Sequence, residues 1–187
     1  LEDLRSLEEE TNITMANSPT QKVGTEVLDN IAKVVHQTPM LSLNKCHSVE
    51  EIEKFANYRP LVASIKLDGL SCRLIYENGD LVRAESRGNG IEGNDITQAV
   101  KQFQNVPLHI NKEGTYVIDG EALITLDDFA EINKDGQFKN SRNLAAGTLS
   151  SLDTSVVKDR RLSWFAWEVV ENDSADETNL SFHNQLA

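Results

Sequence analysis

Lys66-Leu67-Asp68-Gly69 is the segment with the clearest capacity for chemistry. A primary amine attacks a phosphorus or carbonyl centre once it has lost its proton, and burial or a neighbouring cation promotes that loss. The alternating apolar residues Leu61, Ala63 and Ile65 lead into the lysine, and Asp68-Gly69 reads as a tight turn after it. Lys66 is therefore expected to be shielded and held by backbone at the mouth of a hairpin. Asp68 either orients the lysine or makes the turn. Three further clusters follow in order: Arg87-Gly88-Asn89-Gly90, Asp119-Gly120-Glu121, and the run Asn140 to Leu149 around Arg142. Each alone has an ordinary reading: a solvated lysine, an arginine ending a hairpin, a solvent-facing strand glutamate, a surface arginine. Taken together in one order, they favour a shared site. His36 reads differently, as a structural hydrogen-bonding residue.

The elements that would position these residues are legible in outline. Asn78-Gly79 between two alternating runs is a strong hairpin signal, because both turn residues need positive φ. It predicts strands over 70–77 and 80–87, preceded by another over 60–67. Ser48-Val49-Glu50-Glu51 is a capping-box pattern for a helix over 49–57. Spacing suggests helices over 2–10 and about 25–35, although the β-branched residues of the latter also suit a strand. Asp95 or Thr97 caps a short helix ending near Phe103. A strand is expected over 116–124, a helix over 126–132, a polar loop over 135–140, a helix over 141–151 and a buried strand over 162–170. The tail from Asn172 to Asn179 is acidic and polar. Strands that arrive as hairpins rather than βαβ units argue for an α+β fold with antiparallel sheets.

The 187 residues suit one domain with a core, at 39% hydrophobic and 26% charged residues. Neither a long apolar run nor a signal-peptide pattern is present, so the default expectation is a cytoplasmic, non-membrane protein. Cys46 and Cys72 lack metal-ligand spacing, and Cys72 falls in a strand, where a core position is expected. No metal-ligand motif is apparent. With 30 acidic and 18 basic residues, the net charge of −12 opposes non-specific binding to nucleic acid, which depends on neutralising phosphates.

The ordered set closely resembles the adenylation (nucleotidyltransferase) domain of NAD-dependent DNA ligases. The resemblance runs from Ser18-Pro19-Thr20-Gln21-Lys22-Val23-Gly24 to about Trp167. It includes His36-Gln37-Thr38-Pro39-Met40-Leu41-Ser42-Leu43, the Lys66 motif, Arg87 to Thr97, Gly120-Glu121 and Arg142 to Gly147. It implies an α+β nucleotidyltransferase fold, shared with mRNA capping enzymes, with antiparallel sheets flanked by helices. It implies that Lys66 attacks the α-phosphate of NAD, releasing nicotinamide mononucleotide and leaving a lysyl-adenylate that is later passed to the 5′-phosphate at a DNA nick. Arg87 would then contact the nucleotide, Glu121 would accept from ribose hydroxyls or help to hold a metal, and Arg142 would meet a phosphate at a helix start. Ser42, Leu43, Ser64 and Ile65 would lie beside the adenosine. Mg²⁺ is implied by the pyrophosphate charge. ATP-dependent ligases and capping enzymes share the lysine motif, but the blocks at Pro39–Leu43 and Arg142–Leu149 resemble the NAD-dependent branch.

The chain also departs from that pattern. Ser64 stands where the family carries an acid that contacts the adenine amino group. Asn89 replaces an aspartate, and Ser150 replaces an arginine. Residues 1–17 resemble only a remnant of the family's N-terminal helical region and linker, without the tyrosine and aspartate residues that grip nicotinamide mononucleotide. Residues 18–187 correspond to part of the adenylation domain. Two later lysine motifs and the oligonucleotide-binding, zinc-finger, helix-hairpin-helix and BRCT regions have no counterpart, and Leu1 is not an initiator methionine. These features imply a monomeric piece of a longer ligase that is weak or inactive alone. In the complete parent, nicked duplex DNA is the expected partner; the acidic piece alone would bind it weakly. The alternative is a degenerate ligase-like module that binds a nucleotide without turnover.

Overall fold

A computed structural model describes residues 2–15, 18, 20, 30–61, 63–151 and 153–172. Its centre is a four-stranded antiparallel sheet in the order β3-β2-β5-β6, from β2 (Leu70–Glu77), β3 (Asp80–Ser86), β5 (Thr115–Leu123) and β6 (Ser163–Asn172). The hairpin forms as its turn chemistry dictates: Asn78 and Gly79 take φ values of 50° and 90°, and Glu77 pairs with Asp80. A register shift between Ile75 and Tyr76 adds a bulge to this pair. A second, two-stranded sheet joins β1 (Lys33–Val35) to β4 (Glu92–Asn94).

The two faces of the four-stranded sheet differ in chemistry. Successive side chains on a strand point to opposite sides. Cys72, Leu74, Tyr76, Ala84, Tyr116 and Ala122 therefore share the core face. They pack with Val100 and Phe103 from the region of α3 (Thr97–Val100), Leu144 and Leu149 of α5 (Ser141–Leu149), and Val157 of α6 (Ser155–Asp159). The other face carries Ser71, Arg73, Glu85, Asp119 and Glu121, with Arg73 opposite both Glu85 and Asp119, and Ser71 opposite Glu121. Apolar burial holds the sheet from one side, leaving its second face for ionic groups.

Local signals set the helix starts. In α2 (Val49–Ala56), Ser48 Oγ accepts from Glu51 N, as a capping box requires, while the Glu51 carboxylate turns back to His47 N rather than to Ser48. Thr125 caps α4 (Leu126–Ile132) by accepting from Asp128 N, and Asn140 caps α5 by accepting from Asn143 N. Asp95 Oδ1 accepts from Thr97 N and Oγ1 at the start of α3, which ends at Val100 rather than near Phe103. Helix α1 (Glu2–Thr11) matches the expected span. Among the described residues, no helix is long and apolar enough to cross a membrane.

Three expectations need correction. The described residues of the span 60–67 form no strand: the alternation at Leu61, Ala63 and Ile65 is present, but among the described residues no neighbour supplies a ladder. The helix expected over 25–35 lies partly outside the described residues, and its end, Lys33–Val35, is strand β1 because β4 offers an antiparallel partner. The strand near 162–170 is β6, a partly exposed edge strand rather than a buried one, because among the described residues only β5 flanks it. β4 and α6 are too short to show a period in the sequence. The tail from 173 onward lies outside the described residues.

Candidate active site

The polar sheet face and the segments laid over its end bring several candidate residues together. Glu121, in the middle of the buried part of β5, accepts from Gly69 N through Oε1 and from Ser71 Oγ through Oε2, each at 3.2 Å. It is 8% exposed, which removes the solvent-facing reading of this residue. The backbone just after Lys66-Leu67-Asp68 is thus clamped to the carboxylate by the Gly69 amide. Gly120 is required by its surroundings: a Cβ there would lie 2.4 Å from Trp164 Cε2 and 2.6 Å from the Phe165 carbonyl oxygen. The Trp164 indole crosses this point to donate from Nε1 to the Cys72 carbonyl at 3.0 Å.

Asp68 pairs with Arg142, whose Nη1 donates to Oδ1 at 2.6 Å. The contact ties the lysine loop to the first turn of α5 across 74 residues of sequence. Both side chains are more than half exposed, so a bound anion can compete for the guanidinium. Arg87 donates from Nε to the Met40 carbonyl at 3.0 Å and from Nη2 to Ser42 Oγ at 2.7 Å. Two of the expected nucleotide contacts, Ser42 and Arg87, are therefore direct partners.

Lys66, Ser64, Ile65 and Leu43 are exposed, and among the described residues Lys66 makes no side-chain hydrogen bond or ion pair. The expectation of a shielded lysine is corrected on this point. Residues 63–66 lie outside the sheet and are exposed, and cover begins only at half-buried Leu67. Asn89 keeps the acceptor that an aspartate would supply: Oδ1 accepts from Ile91 N at 2.9 Å and Glu92 N at 2.7 Å. The loop needs an acceptor oxygen there, and an amide supplies one without a charge.

A buried ionic layer beneath residues 36–42 was not legible as part of the site. Arg73 donates to Asp119 through Nε at 2.7 Å and Nη2 at 2.9 Å, and its Nη1 reaches the Thr38 carbonyl at 2.6 Å. His36 Nδ1 lies 2.7 Å from Glu85 Oε2, and Nε2 lies 3.1 Å from the Arg87 carbonyl oxygen. Both partners are acceptors when Glu85 is ionised, so both bonds then require a proton on each ring nitrogen. This bears out the structural role expected of His36. Arg83 Nε is 3.0 Å from Glu85 Oε1 but donates no hydrogen bond, which makes this an electrostatic contact only. The one available signal was an arginine in the middle of the apolar run Leu70 to Tyr76.

Cys72 is fully buried, as expected of a strand cysteine, and Cys46 is exposed. Burial pushes the Cys72 thiol well above the ordinary range, and the nearby carboxylates of Asp119, Glu121 and Glu85 add to the shift. Among the described residues, no group of three or more His, Cys, Asp or Glu side chains could hold a metal. The two candidate carboxylates, Glu121 and Asp68, are by themselves too few to form the donor set of a resident ion. Lysine and two arginines for phosphate oxygens, with a carboxylate and a serine hydroxyl as acceptors, are groups suited to a nucleotide.

The architecture is that of an α+β domain, an antiparallel sheet with helices packed on its apolar face and ionic groups on the other. Over residues 28–187 the chain matches the family described as NAD-dependent DNA ligase adenylation domain, and it is a member of that family. It is similar to the DNA ligase of Lachnoclostridium phytofermentans, 40% identical over 177 residues, covering 92% of this chain and 27% of that protein. The DNA ligase of Ruminiclostridium cellulolyticum is 37% identical, covering 95% of this chain and 28% of its own length. That of Thermosipho africanus is 42% identical over 168 residues, covering 82% and 25% respectively. The chain thus spans less than a third of the length of these relatives.

Proposed function

We propose that this chain is the nucleotide-attacking portion of an NAD-dependent DNA ligase, with Lys66 as its nucleophile. In this reading residues 18–187 supply part of a nucleotidyltransferase fold, and residues 1–17 are a remnant of a preceding helical region and linker. The observation that carries the reading is the convergence of Gly69, Ser71 and Glu121 directly after the lysine, with Arg142 held on Asp68. Lys66 Nζ, deprotonated, forms a bond to the α-phosphorus of NAD, and nicotinamide mononucleotide leaves with the electron pair of the broken phosphoanhydride bond. Arg87 and Arg142 stabilise phosphate charge, while Glu121 and Ser42 orient ribose hydroxyls. Ser64, Ile65 and Leu43, all exposed, are the residues assigned to the adenosine. Asp68 acts by holding Arg142. Magnesium is assigned to the nucleotide's own phosphates, since the described residues provide no cage for it. Transfer to a nicked duplex belongs to the complete parent. The net charge of −12 makes DNA binding by this chain alone weak. In this reading the chain acts as a monomer in the cytoplasm.

Intact mass tests this directly. In the complete parent, incubation with NAD and Mg²⁺ adds one adenylyl group, and Lys66→Ala abolishes the gain. Ligation by unadenylated Lys66→Ala protein would overturn the assignment. A second reading, a binding module without turnover, is favoured by Ser64 and by the open, unpartnered Lys66. Failure of the 187-residue chain alone to gain mass, with AMP still bound, supports that module for the isolated chain.

A further inference from the structure

We propose that the buried Arg73–Asp119 ion pair is a positioning device for the nucleotide site, pinning Thr38 so that Met40 and Ser42 hold the Arg87 guanidinium. Removing two charges from water costs several kcal/mol per ion, and apolar side chains would fill such a position more cheaply. The side chains of Arg73 and Asp119 are only 3% and 5% exposed. Two guanidinium nitrogens satisfy the aspartate, and the third is directed away from it, to the Thr38 carbonyl. That contact anchors the bend at Gln37–Thr38 in the middle of a strap whose ends are tied separately. His36 N donates to the Ile91 carbonyl, and Met40 N donates to the Gly90 carbonyl, both at 2.9 Å.

The next polar contacts along the strap are the acceptors of Arg87: the Met40 carbonyl and Ser42 Oγ. A guanidinium held by two directed hydrogen bonds presents its remaining N–H groups in a fixed direction. The chain of contact therefore runs from Asp119 to Arg73, through Thr38, Met40 and Ser42, to Arg87. Arg73 and Asp119 need not touch the ligand; they act through Arg87. Lysine cannot replace Arg73, because one ammonium on the aspartate leaves no rigid arm for Thr38.

This inference rests on the reading of Arg87 as a nucleotide contact, and its test separates the two. The 187-residue chain and its Arg73→Met/Asp119→Leu variant are compared by hydrogen exchange at the His36 and Met40 amides and by calorimetric titration with AMP. Exchange at the amides of β2 and β5 reports whether the sheet remains folded. The expected result is protected sheet amides, at least tenfold faster exchange at His36 and Met40, and roughly tenfold weaker AMP binding, about 1.4 kcal/mol. If the double variant loses the sheet, Arg73→Lys, which retains one donor for Asp119, is expected to show the same strap and affinity changes. Unchanged strap protection in a folded variant overturns the proposal. So does a released strap with unchanged AMP affinity, since a merely structural pair would behave that way. Failure of the unmodified chain to bind AMP overturns the underlying nucleotide reading, and this shows before any variant is made.

Discussion

Replacing Glu121 by alanine and by glutamine separates the charge of this residue from its hydrogen bonds. The carboxylate accepts from Gly69 N and Ser71 Oγ, both at 3.2 Å, in a position 8% exposed. Hydrogen bonds to a charged partner are worth about 1.5–3 kcal/mol each. The long distances place both at the low end, so Glu121→Ala should cost about 3 kcal/mol, including the Gly69 amide left unsatisfied. Relief of repulsion from Asp119 and Glu85 offsets little of this, because Arg73 and His36 already engage those carboxylates. In Glu121→Gln, the amide oxygen can keep the Gly69 N–H while its NH₂ donates to the Ser71 hydroxyl. Only the charge assistance is lost, about 1 kcal/mol. For a chain of this size 1 kcal/mol moves the unfolding midpoint by about 2–4 °C, so drops of about 6–12 °C for alanine and 2–4 °C for glutamine are expected. Thermal unfolding followed by circular dichroism reads both. An alanine variant as stable as the parent chain, or a glutamine variant as damaged as alanine, would refute the clamp.

Gly120→Ala forces a Cβ to within 2.4 Å of Trp164 and 2.6 Å of a backbone oxygen; it should cost about 3 kcal/mol, the upper end for overpacking, readable as a lowered urea midpoint. Thiol labelling of the native chain at pH 8 should modify exposed Cys46 and spare Cys72; rapid double labelling without unfolding would contradict the burial. Because the Cys72 thiol is raised in the fold, its contribution to stability is full below the unfolded thiol value of about 8.5 and declines as pH rises above it. Urea midpoints between pH 8 and 10 should therefore fall, less so in Cys72→Ser after correction for its own stability change. Ser64→Glu restores an acid beside the proposed adenine position and should tighten adenosine binding modestly; unchanged or weaker binding by calorimetry would remove Ser64 from that place.

Local chemistry was readable wherever a few adjacent residues decide the outcome. Asn78-Gly79 dictates a turn through its positive φ values, and Ser48 dictates a helix start because its hydroxyl reaches the amide three residues on; Thr125 and Asn140 cap by the same rule, although their helices were placed without them. The ordered motifs likewise identified the family, since each is short and contiguous in sequence. What failed was whatever depends on a distant neighbour. Residues 60–67 have a strand's alternation without a strand's ladder, whereas Lys33–Val35 becomes a strand because β4, some 60 residues on, lies beside it. Burial followed the same division: Lys66 is open, although its motif suggested shelter, and Glu121 is closed, although its alternation allowed exposure. No spacing relates Arg73 to Asp119 and Thr38, Arg142 to Asp68, or Ser42 to Arg87. Those contacts exist only once strand register and the strap over the sheet bring together groups 35 to 74 residues apart. The sequence by itself determined the turns, the caps and the inventory of reactive groups, because these are written in neighbouring residues. The tertiary structure alone decided which groups are buried, which are paired and which remain free to meet a ligand, because desolvation and ion pairing are properties of the packed whole.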